Sequence, residues 1–214
     1  MLKVWGRRSS ANVQKVMWLI GELQLPHEHI PAGGPYGRIN EPAFRAMNPN
    51  GLVPVIEDDG LVMWESNAVI RYLAARYSGS RLWREDARAR APIDQWIDWS
   101  GTTFQQEVIG LFWSYWRTPE KDRNWDKIRD FQQRAEKNFK LLDAELAKRR
   151  YLAADEFTLA DIPTGVHLYR YYTMGTPVVS CPNVEAWYRR LTERAAYRDH
   201  VMVSYEELRG KLTF

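Results

Sequence analysis

The residues best suited to chemistry in this chain are small and polar, and they sit where helices begin. In RRSSAN (residues 7–12), two hydroxyls and an amide, Ser9, Ser10 and Asn12, precede an amphipathic segment. Hydroxyl and amide donors at a helix start stabilise a bound anion, because the backbone N–H groups there lack partners of their own. A second such place is Glu65-Ser66, just ahead of the apolar run AVIRYL. Ser66 suits an N-cap, where its hydroxyl satisfies an orphan N–H. The same place can hold a ligand carboxylate while Glu65 faces an ammonium, so the pair also matches an α-amino-acid head group. Third, Pro54 interrupts an apolar run, LVPVI, that otherwise reads as a strand. Proline donates nothing to a ladder, so it belongs at an edge, at a bulge or in a cis bond.

The elements that position these residues follow from periodicity. Leu2–Trp5 is a strand candidate. Val13, Val16, Met17 and Ile20 fall at i, i+3, i+4 and i+7, the spacing of a helix over 12–23 that Pro26 ends. His27–Ile30 follows as a strand, so the segment reads as a βαβ unit with parallel strands. After the glycine-rich loop 31–40 and a short helix from Pro42 come strands at Leu52–Glu57 and Leu61–Trp64. Asp59-Gly60 between them signals a hairpin. A helix from Ser66 carries Val69, Tyr72, Leu73 and Tyr77 on one face. Beyond SGSRLW no strand is expected. Helices are predicted over 92–116, 122–148, 159–172 and 184–194. The chain therefore divides into an α/β domain at 1–78 and an all-helical domain at 84–214.

Composition narrows the classes. The 214 residues carry a net charge of +3 with both signs interleaved, which argues against a nucleic-acid partner. No 18-residue apolar run predicts a membrane span, and the charged N-terminus does not resemble a signal peptide. The four histidines lack metal-ligand spacing, so no metal is expected. Cys181 is the single cysteine, which leaves no intrachain disulfide. These features together suit a cytosolic protein.

The order βαβ, short helix, ββα is that of the thioredoxin fold. In that fold a cis-proline opens the third strand, so Pro54 takes that role. Val53 then offers its N–H and C=O to a peptide lying alongside as an added strand. A thioredoxin-like redox protein would carry Cys-x-x-Cys between the first strand and helix. This domain has no cysteine, so any thiol must come with the ligand. A free thiol has a pKa of about 8.5 and needs help to ionise near neutral pH. Hydroxyl and amide donors and a helix N-terminus provide it.

NPNGLVPVI followed by WESNAVIRYL resembles the glutathione-binding signature of the soluble glutathione transferases, and the resemblance extends over the whole chain. FTLADIPTG is similar to that family's capping box, with Thr158 at the N-cap and Asp161 at N3. The resemblance implies that Val53 and Pro54 hold the cysteinyl part of glutathione, and that Glu65 and Ser66 hold its γ-glutamyl end. Arg38 and Asn40 are candidates for the glycyl end, while Arg7 and Arg8 lie in a loop able to steer an anion. The sulfur falls to Ser10 with Asn12 on one alignment and to Ser9 on another. No tyrosine or cysteine of the other classes stands there.

In the family the helices matching 96–125, a stretch with five of the ten tryptophans, line the pocket for the electrophile. Phe112, Trp113 and Trp116 are the implied apolar wall. Trp96 and Trp99 read as core, and Thr102 or Gln106 as residues able to face the sulfur. The implied function is transfer of the glutathione thiolate to a small hydrophobic electrophile by a two-fold dimer, with glutathione as co-substrate and no other cofactor. Two alternatives share these residues: a disulfide reductase or peroxidase that binds two glutathiones, and a non-catalytic binding module on the same fold.

Overall fold

A computed structural model describes residues 1–213. The N-terminal part runs β1 (Leu2–Trp5), α1 (Ala11–Leu23), β2 (His27–Ile30), α2 (Pro42–Met47), β3 (Val55–Asp58), β4 (Leu61–Trp64) and α3 (Ser66–Tyr77). The sheet order is β2-β1-β3-β4, with β1 and β2 parallel and the remaining pairs antiparallel. This is a thioredoxin-like arrangement. At the hairpin, Asp59 and Gly60 both have positive φ, 49° and 85°, the backbone a tight two-residue turn requires. The Val53-Pro54 bond is cis. The third strand begins only after it, at Val55, three residues later than the apolar run suggests, because Pro54 has no N–H to pair and Leu52 is exposed.

Helix α1 is enclosed on nearly every side. Its apolar stripe, Val13, Val16, Met17 and Ile20, is buried as its period predicts. Packing against α3 on one flank and α10 on another buries Gln14, Lys15, Trp18 and Leu19 as well. That double packing makes α1 the shared spine of the molecule, so its N-terminus lies where the α/β and helical parts meet.

The C-terminal part is helical: α4 (Ala87–Trp99), α5 (Gln105–Phe112), α6 (Trp125–Leu146), α7 (Asp161–Gly165), α8 (Leu168–Thr173), α9 (Pro182–Thr192) and α10 (Ala195–His200). The first of these starts five residues ahead of the expected Pro92, because the Asp86 side chain accepts from Ala89 N–H at 2.8 Å and caps it. Residues 100–104 and 113–117 form π-helical turns on either side of α5. The helix expected over 159–172 is two pieces, separated where His167 N–H bonds back only three residues, to Thr164. The short helix α10 carries no signal that periodicity could resolve. None of the described helices is long and apolar enough to cross a membrane.

Candidate active site

The β1–α1 loop delivers Ser9 and Ser10 to the head of α1, and the two hydroxyls meet different surroundings. Ser9 is buried; its hydroxyl donates to the Glu207 carboxylate, and its carbonyl accepts from the Arg170 guanidinium. Ser10 is the N-cap residue, with its carbonyl accepting from Gln14 N–H at 2.9 Å. Its half-buried side chain makes no capping bond and has no hydrogen-bond partner among the described residues. Asn12, the second residue of the helix, accepts from the Ser66 hydroxyl at 3.3 Å. Ser9, Ser10 and Asn12 line a cavity of about 90 Å³ together with Ile109, Phe112 and Trp113.

At the second helix start the structure corrects the expected cap. Glu65, not Ser66, is the N-cap residue of α3; it has φ 68° and makes no side-chain capping bond. The positive φ turns the chain sharply between β4 and α3, so Glu65 stays exposed while Ser66 becomes the first helical residue and is buried. The Ser66 hydroxyl is therefore not spent on capping. It lies between Asn12 and the ammonium of Lys15, whose Nζ is 3.5 Å away.

Lys15 was not legible as a site residue. Only 1% exposed, it donates to Asn67 Oδ1 at 3.2 Å and Gln105 Oε1 at 2.6 Å. Burial pulls its pKa down to about 7, with the Glu65 charge opposing. In sequence it sits off the apolar stripe of α1 and reads as a solvated face. Its partners come from α3 and α5, which a local period cannot report.

The remaining candidates divide. Val53 is half-buried ahead of Pro54, and no other described backbone group pairs with its N–H or C=O. The loop carrying Arg38 and Asn40 is exposed, and Asn40 Oδ1 already accepts from Arg45 at 2.9 Å. Arg7 lines the cavity, whereas exposed Arg8 donates to the Asp199 carbonyl at 2.9 Å. Phe112 and Trp113 border the cavity, but Trp116 lies in a neighbouring one with Tyr115, Tyr169 and Tyr205. Phe112 and Trp116 nevertheless share a face, since both rings pack edge-on against Tyr205. Thr102 bonds back to the Asp98 carbonyl, Gln106 is exposed, and neither lines the cavity. Trp96 and Trp99 pack against the core.

Arg117 and Arg170, distant in sequence, complete the cavity wall. Both guanidiniums are pulled down to about 10, mainly by burial and further by the nearby Arg7 charge.

The Thr158–Asp161 motif forms half of the expected box. The Asp161 carboxylate accepts from Thr158 N–H at 2.8 Å, but the Thr158 hydroxyl donates to that carboxylate and does not cap the helix. The helix itself begins at Asp161. Leu152 N–H and Trp187 Nε1, each 3.0 Å away, bring the donors on this buried carboxylate to four. Burial is the larger influence and pushes the carboxyl up to about 6, against those donors.

Comparison with known proteins identifies the class. Residues 5–81 match the family described as glutathione S-transferase, N-terminal domain, and residues 108–190 match the corresponding C-terminal domain. The chain is 42% identical to glutathione S-transferase GstB of Escherichia coli K12, over 95% of this chain and 99% of that one. It is 32% identical to glutathione S-transferase 3 of Zea mays, with 94% and 93% covered. A theta class glutathione S-transferase from the citrus canker pathogen Xanthomonas axonopodis pv. citri, solved with glutathione bound, superposes with a TM-score of 0.91. It has 39% identity and covers 95% of this chain and 98% of its own. The chain belongs to the glutathione S-transferase family, and it is an enzyme of that activity.

Proposed function

We propose that glutathione lies with its γ-glutamyl end at Glu65 and Ser66 and its cysteinyl backbone along Val53, ahead of Pro54. Its sulfur meets Ser10 and Asn12, and its glycyl end extends toward the loop of Arg38. The thiolate is then transferred to a small electrophile held against Phe112 and Trp113. The observation that carries this reading is the 3.3 Å contact between Ser66 and Asn12, which joins the head-group anchor to the sulfur site. Of the two serines, Ser10 is the one whose hydroxyl is uncommitted, since Ser9 is engaged by Glu207 and Arg170. A cytosolic two-fold dimer, with domains at 1–78 and 84–214, completes the reading.

In the transfer the thiol loses its proton to solvent, a carbon–sulfur bond forms, and the leaving group departs with its electron pair. Catalysis consists of positioning and of donors aimed at the charged sulfur.

The test is the thiolate absorbance of bound glutathione against pH. Losing a hydrogen bond to the charged sulfur costs roughly 1.5–3 kcal/mol, so Ser10→Ala raises that thiol's pKa by roughly one to two units. Ser9→Ala leaves the titration nearly in place. The reverse ranking would give the role to Ser9. Turnover of a hydroxyethyl disulfide without any conjugation would favour the reductase alternative.

A further inference from the structure

The cavity beside Ser10 has an apolar wall, as an electrophile pocket requires, but it also has a cationic one. Arg7, Arg117 and Arg170 line it together with Ile109, Phe112 and Trp113. Arg170, from α8, is the most informative. It is only 7% exposed, it donates to the Ser9 carbonyl, and it forms no ion pair with any described carboxylate. Its Cζ lies 5.0 Å from the Phe112 ring centroid, so the charge borders the surface that an electrophile would touch. Arg117 stacks on Trp113 with its Cζ 3.8 Å from the ring centroid. Arg7 and Arg117 add positive potential by position, whatever else they contact.

The Glu207 carboxylate, held by the Ser9 hydroxyl, acts on Arg7 and Arg170 and offsets part of this charge, but one carboxylate faces three guanidiniums. Keeping a guanidinium away from water with no carboxylate in direct contact is costly, and a neutral apolar substrate would leave that cost in place. Guanidinium also presents five donors in a planar fork suited to a carboxylate, of which the Ser9 carbonyl takes one. Resting on the glutathione reading above, we propose that the second substrate is a small electrophile that carries a carboxylate. The carboxylate sits against Arg170, and the electrophilic carbon meets the thiolate at Ser10. This departs from the neutral hydrophobic electrophile that the aromatic run alone implies.

The discriminating probes are iodoacetate and iodoacetamide, which match in size and leaving group and differ in charge. With either, sulfur bonds to the methylene carbon, the carbon–iodine bond breaks, and iodide leaves with the electron pair. Each enzymatic kcat/KM is divided by that compound's spontaneous rate with glutathione. The wild-type protein should favour iodoacetate roughly tenfold or more, the effect of one charge-assisted contact. Arg170→Gln should bring the ratio close to one, and Arg170→Lys should restore part of it.

Damage to the Ser9 loop would slow both compounds alike, so the ratio separates recognition from support. If Arg170→Gln fails to fold, propionate should inhibit iodoacetamide turnover in the wild-type protein where propionamide does not. A wild-type ratio near one, or equal loss of both activities in Arg170→Gln, overturns the proposal and leaves the glutathione reading standing. No transfer to either compound, with glutathione still raising the melting temperature, overturns the transfer reading itself.

Discussion

Replacing Lys15 by Met tests the most unusual group in the structure, a buried amine held by neutral oxygens. Its partners are Ser66, Asn67 and Gln105, and the charged or titratable groups acting on it are Glu65 and His167. Burial lowers its pKa from 10.5 to about 7. For a base whose folded pKa is depressed, the unfolded chain binds more protons between those two values, so stability rises with pH across that window. Taking about 7 folded and 10.5 unfolded, the penalty is roughly 4 kcal/mol at pH 7 and roughly 2 kcal/mol at pH 9.

Lys15→Met abolishes this dependence. The mutation strands some acceptors at a cost that does not vary with pH, so the informative quantity is the change in the wild-type–mutant gap. Urea unfolding at pH 7 and pH 9 should show the wild-type protein gaining about 2 kcal/mol on the mutant between the two. A gap constant to within about 0.5 kcal/mol would refute the reasoning, because Lys15 would then hold its proton in the native state across the whole range.

Asp161→Ala should lower stability by roughly 3 kcal/mol or more, since it strands donors from Leu152, Thr158 and Trp187, each costing about 1–3 kcal/mol. Glutathione affinity should be unchanged, and a folded variant with weakened binding would reassign the motif to the site. Cys181 is buried, and burial pushes its thiol up to about 11, so a disulfide reagent at pH 8 should label it only when denaturant is added. Rapid labelling of the native protein would contradict that placement.

What the sequence determined by itself is whatever short-range physics controls. Asp59-Gly60 specifies its turn because a tight hairpin needs positive φ there, and the stripe of α1 follows from the period of the helix. Pro54 was readable as a break in the ladder because its missing N–H is a local property. Its cis bond and the role of Glu65-Ser66 were implied by the resemblance, and the Ser66 hydroxyl meets residues far along the chain. Tertiary structure decided the rest, through contacts between residues far apart in the chain. Ser9 and Ser10 are identical in type and adjacent in sequence; only Glu207 and Arg170, nearly two hundred and about one hundred and sixty residues away, engage one and leave the other open. Lys15 reads as solvated until α3 and α5 cover it. Trp116 packs on the distant Tyr205 and lines another cavity, which no spacing rule announces. The cationic wall, too, exists only because folding brings the β1–α1 loop, the π turn after α5, and α8 around one cavity, where burial and mutual repulsion act on arginines far apart in the chain.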